Sequence, residues 1–587
     1  MLFNKTINIL LLSFTTILVN AEKVKFKVLA VNGTPVLNIN GAQQPMTAAE
    51  YPLYEAEVDV DNFPVTYNYS IDNEVEPFNR QRNKDDKSLN EFFGREITFL
   101  EHPLLPRAYN AFELAKNSKL FDDRIIGNFI VTTDGLQELY DNIDDQEFKV
   151  PAKVIYASPF TIKTFNNAEL SIGGQSTRFV PKLSFKIKGL KDENNKELYG
   201  RSTVKLRAEH MDSSFLRDKL YCDLLNSLGV PAAQNAFARL YINGQALGFY
   251  SVSDSISSDH YLRDTFNNGE KFSQVNPLFK ADFCPTCEIG VSYGDLGYYG
   301  DDPNHAMYAI YTYKGEDKDT VVGTTKIAEH ILPLVKQIDD YKNNLTNEFP
   351  LDADTFSKYM VMEFLSGAID NYWNKPGNYY LFKDAAKDKW YFHDSDFHYT
   401  FGCGGNPEDM MNTPLAQYPP LLEENVKKDR APLDGYRAHH DAEFLKIFDR
   451  LIKTAYNPSA IYPRLDSLAK LVKEDAYWDF TLPKTNPKPT ADQNLVYTNE
   501  DFDIQALSEA ATDNFSNIPI RTFINTRLNN VAQELGIQIP TNPETDLGYV
   551  ENPKADVSSG NSSSSAIGQY SWSIISTILV ILFSIIF

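Results

Sequence analysis

The chain has 587 residues, and 79 Asp or Glu against 56 Lys or Arg leave a formal charge of −23. A polyanion would be repelled, which excludes nucleic acid as the expected partner. The length calls for two or three cores rather than one, and 33 Tyr with 38 Phe point to folded, β-containing structure rather than disorder.

At the N-terminus, Lys5 precedes an apolar run from Ile7 to Val19 that ends in Val19-Asn20-Ala21. This predicts a secretory signal peptide over residues 1–21, cleaved after Ala21. Secretion gives meaning to the sequons at Asn32, Asn68, Asn344 and Asn514 as expected glycan sites. From residue 22 to about 140 the apolar residues alternate, as in Val24, Phe26 and Val28 and again in Val65, Tyr67 and Tyr69. Period-two alternation with Gly, Pro and Asn between the runs predicts an antiparallel, sandwich-like β-domain.

From Pro151 strands and helices mix, and a second domain of α+β class is expected over 151–540. A strand from Glu169 runs into a Gly-containing turn and returns through Lys182 to Lys188, with Lys182, Ser184, Lys186 and Lys188 on one face. Lys186, central in that strand, is the candidate ammonium for nucleotide phosphates. Asp212-Ser213-Ser214 caps a helix whose Leu216, Leu220, Leu224 and Leu228 form a core stripe ended by Gly229. Asn243-Gly244 marks a hairpin, and Asp254 follows its second strand, where a nucleotide cleft would have its hinge.

Cys284 and Cys287 flank Pro-Thr; in an oxidising compartment a loop-holding disulfide is expected, with Cys222 and Cys403 as the other candidates. Gly290 to Asn304 reads as a long polar loop, and long loops are commonly functional. Its Tyr298, Tyr299, Asp301 and Asp302 are the expected receptor contacts.

The stretch around Asp370 carries the chemistry. A helix starting near Asp354, with Phe356, Met360 and Phe364 on one face, should stop near Gly367 and leave Asp370 on the following loop. Strands from Tyr379 to Phe382 and Lys389 to His393 pair as a hairpin, which returns Asp394 toward Asp370 and Asn378. One Asp to take a hydroxyl proton, with an Asn and an Asp to hold Mg or Mn bridging the phosphates of ATP, would make Asp370 catalytic and Asn378 and Asp394 metal ligands. The plainer reading makes all three turn and strand-end formers. A third takes Asp394, Asp396 and His398 as one strand face of a metal phosphoesterase.

Helical patterns resume after Gly405, and residues 541–560 form a polar stalk. No charged residue follows Asp556, and Ser571 to Phe587 is almost wholly apolar. A transmembrane helix would want ~20 apolar residues and a basic flank. Small residues, a polar spacer and this tail read instead as a GPI-attachment signal, with residues 561–587 removed and Gly560, or else Ser558 or Asn561, as the attachment residue. The expected location is the cell surface, anchored by GPI to the plasma membrane or cell wall.

Four ordered motifs, SIGGQSTRFVPKLSFKIKG, VKLRAEHMDSSFLRDKLYCDLL, LYINGQALGFYSVSDSI and the segment from Asp370 to Phe401, resemble the CotH family, named for a bacterial spore-coat protein and regarded as atypical protein kinases. The resemblance spans roughly Pro151 to Phe401. It implies a two-lobed, protein-kinase-like α+β domain, with Asp370 in the catalytic position, Asn378 and Asp394 at the metal and Lys186 on the phosphate side. The β-domain, leader and tail resemble the surface CotH proteins of mucoralean fungi, some of which are invasins. The family usually shows Glu at Asp254 and Arg at Gly173. Two functions follow as expectations: a surface adhesin or invasin that binds a host-cell receptor, or an active atypical kinase that uses Mg-ATP on secreted or wall proteins.

Overall fold

The computed structural model describes residues 21–113, 115–287, 290–418, 431–490, 495–509 and 517–556. All but the last residue of the expected signal peptide, the expected GPI-attachment residues and Asn514 fall outside these, as do the side chains of Cys284 and Cys287. Among the described residues no helix is long and apolar enough to cross a membrane.

Residues 22–92 build two sheets. Glu22–Leu29 pairs antiparallel with Leu53–Val60, and Pro35–Ile39 lies between Ala42–Pro45 and Val65–Ile71. Alternation puts Val24, Phe26 and Val28 in one core with Leu37, Ile39, Tyr67 and Tyr69. Ile126–Thr132, inside the stretch assigned from sequence to a separate β-domain, is instead the first strand of a closed barrel. Leu29, Leu53 and Phe92 of the sheets share a small core with barrel residues Ile130, Ile155 and Tyr241.

The barrel runs through Ile126–Thr132, Val150–Ala157, Ile162–Ile172, Phe185–Lys188, Thr203–Arg207, Gln245–Asp254 and Asn235–Ile242, and closes by parallel pairing of the last strand with the first. Phe129, Val154, Leu170, Ile187, Leu206 and Tyr250 fill it. Alternation therefore turns Lys186, Lys188, Lys205 and Arg207 outward, since their neighbours Phe185, Ile187, Val204 and Leu206 are buried. Lys182 does not share this face. It precedes the strand, donates to the Phe249 carbonyl at 2.6 Å and pairs with Asp479 at 2.8 Å.

Helix Arg217–Leu228 interrupts the barrel between its fifth strand and the closing hairpin, and Leu216, Leu220, Leu224 and Leu228 are all fully buried. It begins later than its Asp212-Ser-Ser signal suggests. Asp212 nonetheless holds the first turn, accepting from the Arg217 backbone N–H at 3.0 Å and from its guanidinium at 2.5 Å.

Beyond the barrel, a four-stranded sheet (Tyr311–Tyr313, Leu278–Ala281, Tyr379–Asp384, Lys389–Asp394) packs with a set of helices around one large apolar core. Helix Ala353–Ser366 is capped by Asp352, which accepts from Thr355 N–H at 2.8 Å, and not by Asp354. Gly367 ends it at φ 61°, in the left-handed region where a Cβ would be strained.

Two further expectations are corrected. Cys222 and Cys403 are thiols, not a disulfide: Cys222 is buried inside its helix, and Cys403 donates to the Met211 carbonyl. Residues 290–304 are no free loop either. Gly290–Tyr293 is a strand, Tyr293, Asp295 and Leu296 are buried, and Tyr379 and Tyr372 donate to the carbonyls of Gly294 (2.5 Å) and Asp295 (3.0 Å). Tyr299 stacks on His305 and bonds Asp295, and Tyr298 donates to Asp301 at 2.7 Å. Among the side chains described in this stretch, those exposed are at the tip, with Asp301, Asp302 and Asn304. A polar, Gly-rich composition alone hid these tertiary hydrogen bonds.

Candidate active site

The chain leaves Gly367 and passes Asp370 before a left-handed Asn378 (φ 55°) turns it into strand Tyr379–Asp384. Asn378 stitches the segment by its ends: its amide donates to the Asp370 carbonyl at 3.0 Å, and its own carbonyl accepts from Ser395 N–H (3.0 Å) and Oγ (2.6 Å). Hairpin register sets Tyr379 opposite Asp394. The three residues named from sequence are thus neighbours, and the Asn378 side chain meets Asp370 through that residue's backbone carbonyl.

Asp394 is fully buried and heavily bonded. Tyr221 donates to its Oδ2 at 2.6 Å, and the Asn371 amide (2.8 Å) and Ser395 N–H (2.9 Å) donate to Oδ1. Tyr221 is held for this role by stacking on Phe397 at 4.1 Å. Burial nevertheless pushes the Asp394 carboxyl up to about 7, against the pull of those donors. Asp370 Oδ1 and Asn371 Oδ1 are buried without a hydrogen-bond partner. Burial also raises Asp370, to about 6, although His398 pulls the other way.

Asp396 does not lie on a strand face with Asp394 and His398, because the strand ends at Asp394 and Asp396 adopts φ 68°. It instead reaches the barrel, accepting Arg207 at 2.8 Å and His398 at 2.6 Å. Burial alone would keep Asp396 neutral, but the two cations hold it well below the usual carboxylate range. In return Asp396 overcomes the burial of His398 and lifts it to about 9. Arg207 also approaches Asp218 at 3.5 Å. Beside it Glu209, 5% exposed, has both oxygens without partners, and burial followed by Asp218 keeps its carboxyl protonated far above the normal range.

The barrel wall facing this segment is cationic. Register places Lys186 directly opposite Lys205, an arrangement of like charges that costs stability in an isolated sheet. Burial and then Arg207 and Lys186 lower Lys205 to about 7; burial and then Lys188 lower Lys186 to about 8. Lys280, paired with Asp282 at 2.6 Å, adds to the same field. Sequence reasoning named Lys186 but missed Lys205 and Arg207, although their Lys-x-Arg spacing on a strand already shares one face.

Asp254 stands apart. It is 2% exposed, and both its oxygens accept from Arg201, at 2.5 and 3.4 Å. Arg201 also pairs with Asp264. Among the described residues no group of three or more His, Cys, Asp or Glu side chains is arranged to hold a metal ion.

A model of the CotH kinase protein family matches residues 170–529. The chain belongs to the CotH family. In Rhizopus delemar, the spore coat protein homolog 1 is 25% identical over 483 residues, covering 80% of this chain and 74% of that one. Invasin CotH3 is 25% identical over 506 residues (82% and 79%), and Invasin CotH7 is 26% identical over 494 (80% and 76%), both from the same organism. The CotH match takes in Lys186, Lys205, Arg207 and the segment from Asp370 to His398, and leaves out the two sheets of residues 22–92.

Proposed function

We propose that this CotH-family chain binds a nucleoside triphosphate with Mg or Mn between the barrel wall and the segment from Asp370 to His398, and passes the terminal phosphoryl group to a protein hydroxyl. The observation that carries the reading is Lys186 set opposite Lys205 on the barrel face whose Arg207 bonds Asp396, in the same segment as an Asp370 whose Oδ1 has no partner. Two like charges held together, with no ion pair to either lysine among the described residues, suit a polyphosphate.

The element order supports a kinase-like, two-lobed arrangement. A strand, a Gly turn, two further strands, a helix and a hairpin make the sequence of the lobe that covers nucleotide in protein kinases, where the third strand carries the phosphate lysine and the helix its acidic partner. Lys205 lies on that third strand, and Arg207 with Asp218 parallels the lysine–acid pair. In this scheme Lys205 and Lys186 orient non-bridging phosphate oxygens, and Asp370 accepts the hydroxyl proton. A hard divalent ion supplies charge neutralisation when bound, and Mg usually takes one or two protein oxygens with the rest from phosphate and water. Asp394, which keeps lone pairs beyond its three donors, and the unpartnered Asn371 Oδ1 would hold it, with Asn378 keeping the loop in place.

Lys205→Met tests the wall. With one like charge gone, the ligand-free protein should melt slightly higher than wild type, while its Mg-dependent stabilisation by nucleotide disappears. A wild-type protein stabilised by no nucleotide with either Mg or Mn would overturn the reading.

A second reading, display as a cell-surface adhesin, is favoured by the relatives named invasins and by the apolar N-terminal run and charge-free tail. Phosphatidylinositol-specific phospholipase should then release the protein from intact cells. Release by a protease but not by this lipase would count against a GPI anchor.

A further inference from the structure

The outer face of the sheet built on Pro35–Ile39 carries a row of carboxamides. Register sets Asn38 opposite Gln43 on one side and opposite Asn68 on the other. Asn38 donates to Asn68 Oδ1 at 2.9 Å and to Ser70 Oγ at 3.2 Å, and Asn68 donates to Asn79 Oδ1 at 2.9 Å. Asn38 thus spends its N–H groups on Asn68 and Ser70, and Asn68 spends one on Asn79, so that each bond polarises the next. The row floors a cleft of about 340 Å³, walled also by Asn40, the hairpin tip at φ 53°, and by Thr66.

In a chain with 135 Asp, Glu, Lys and Arg residues (79 and 56), none of the ten residues lining this cleft is charged. Two residues along the same face, Val36 sits opposite an exposed Pro45 and continues the row as an apolar strip. Pro45 also ends the edge strand without an N–H, which discourages pairing with another strand.

We infer that this face is a binding site for a linear, uncharged polysaccharide. Fixed planar amides match the paired donor and acceptor character of sugar hydroxyls, the strip takes the C–H face of a neighbouring ring, and the absence of charge disfavours anionic glycans. Asn38, Asn68 and Asn79 are already ordered by one another, so binding immobilises little beyond Gln43. Asn68 lies in a sequon and is an expected glycan site from sequence; in the fold its amide donates to Asn79, and the Ser70 of that sequon is 5% exposed and accepts from Asn38. The inference requires Asn68 to be without a glycan, which would fill the cleft.

The test uses the full secreted protein against hexamers of β-1,4-linked N-acetylglucosamine, β-1,4-linked glucose and β-1,3-linked glucose, with polygalacturonate as the anionic control. At least one neutral hexamer should bind, polygalacturonate should not, and the three neutral arms distinguish the backbone recognised. Gln43→Ala, on an exposed edge strand, should weaken binding ~5-fold, and Asn38→Ala with Gln43→Ala ~10-fold or more, with melting temperature tracking the fold. Peptide mass spectrometry should find Asn68 unmodified. No binding of any neutral hexamer at millimolar concentration, unchanged binding by the folded double variant, or a glycan on Asn68 would each overturn the inference.

Discussion

Asp370→Asn should reduce phosphate transfer by roughly 100-fold or more, the usual share of a positioned general base, while Mg-dependent stabilisation by nucleotide persists. The reason is spatial: Lys186 and Lys205 lie on the barrel, and Asp394 is held by Tyr221, Asn371 and Ser395 without help from the Asp370 carboxylate. The pH profile supplies a second readout. Asp370 must be ionised to accept a proton, so wild-type transfer should rise with pH through about 6. Lys205 must be charged to attract phosphate, so nucleotide affinity should weaken above about 7. The variant should lose the acidic limb and keep the alkaline one. Its fold should also gain: a carboxyl raised by burial is held neutral more readily folded than unfolded, so ionising it as pH rises through about 6 costs stability that asparagine does not lose. Radiolabelled transfer alongside thermal melts from pH 5 to 9 measures both, and equal transfer by variant and wild type would remove Asp370 from the chemistry.

Arg201→Met is expected to cost ~3–5 kcal/mol of stability, because breaking a buried pair from one side strands the opposite charge. Asp254 would remain 2% exposed with neither oxygen accepting from a guanidinium, and Asp264 would lose the same partner. Adding Asp254→Asn should recover part of the loss, since the stranded charge goes with it. A melting temperature within a degree of wild type for Arg201→Met would show that water or another cation reaches Asp254. If Asp254 acts as an ion-pair anchor, Asp254→Glu should lower stability more than it lowers nucleotide affinity.

Local rules reached further into this chain than long-range ones. Helix ends at Gly229 and Gly367, the Asn243-Gly244 hairpin and the pairing of Tyr379–Asp384 with Lys389–Asp394 were legible because caps, left-handed turns and two-residue periodicity depend on residues a few positions apart. Four ordered motifs likewise identified the CotH family, and a model of that family matches residues 170–529. The buried half of residues 290–304 was not legible, because its hydrogen bonds come from Tyr372 and Tyr379, some eighty residues on.

The candidate site divides the same way. Sequence by itself determined that Asp370, Asn378 and Asp394 come together, because a short helix–loop–hairpin leaves them nowhere else to go. Only the tertiary structure decided what each one bonds. Asp394 is claimed by Tyr221 from a helix more than 170 residues upstream, Asn371 displaces Asn378 as the amide beside it, and Lys205 comes to face Lys186 through strand register. Arg201, separated from Asp254 by 53 residues, takes both oxygens of that carboxylate. Hydrogen bonds and ion pairs between distant segments carry no periodicity in the chain, so charge and partner, unlike position, emerge only once the barrel closes and packs against the helices.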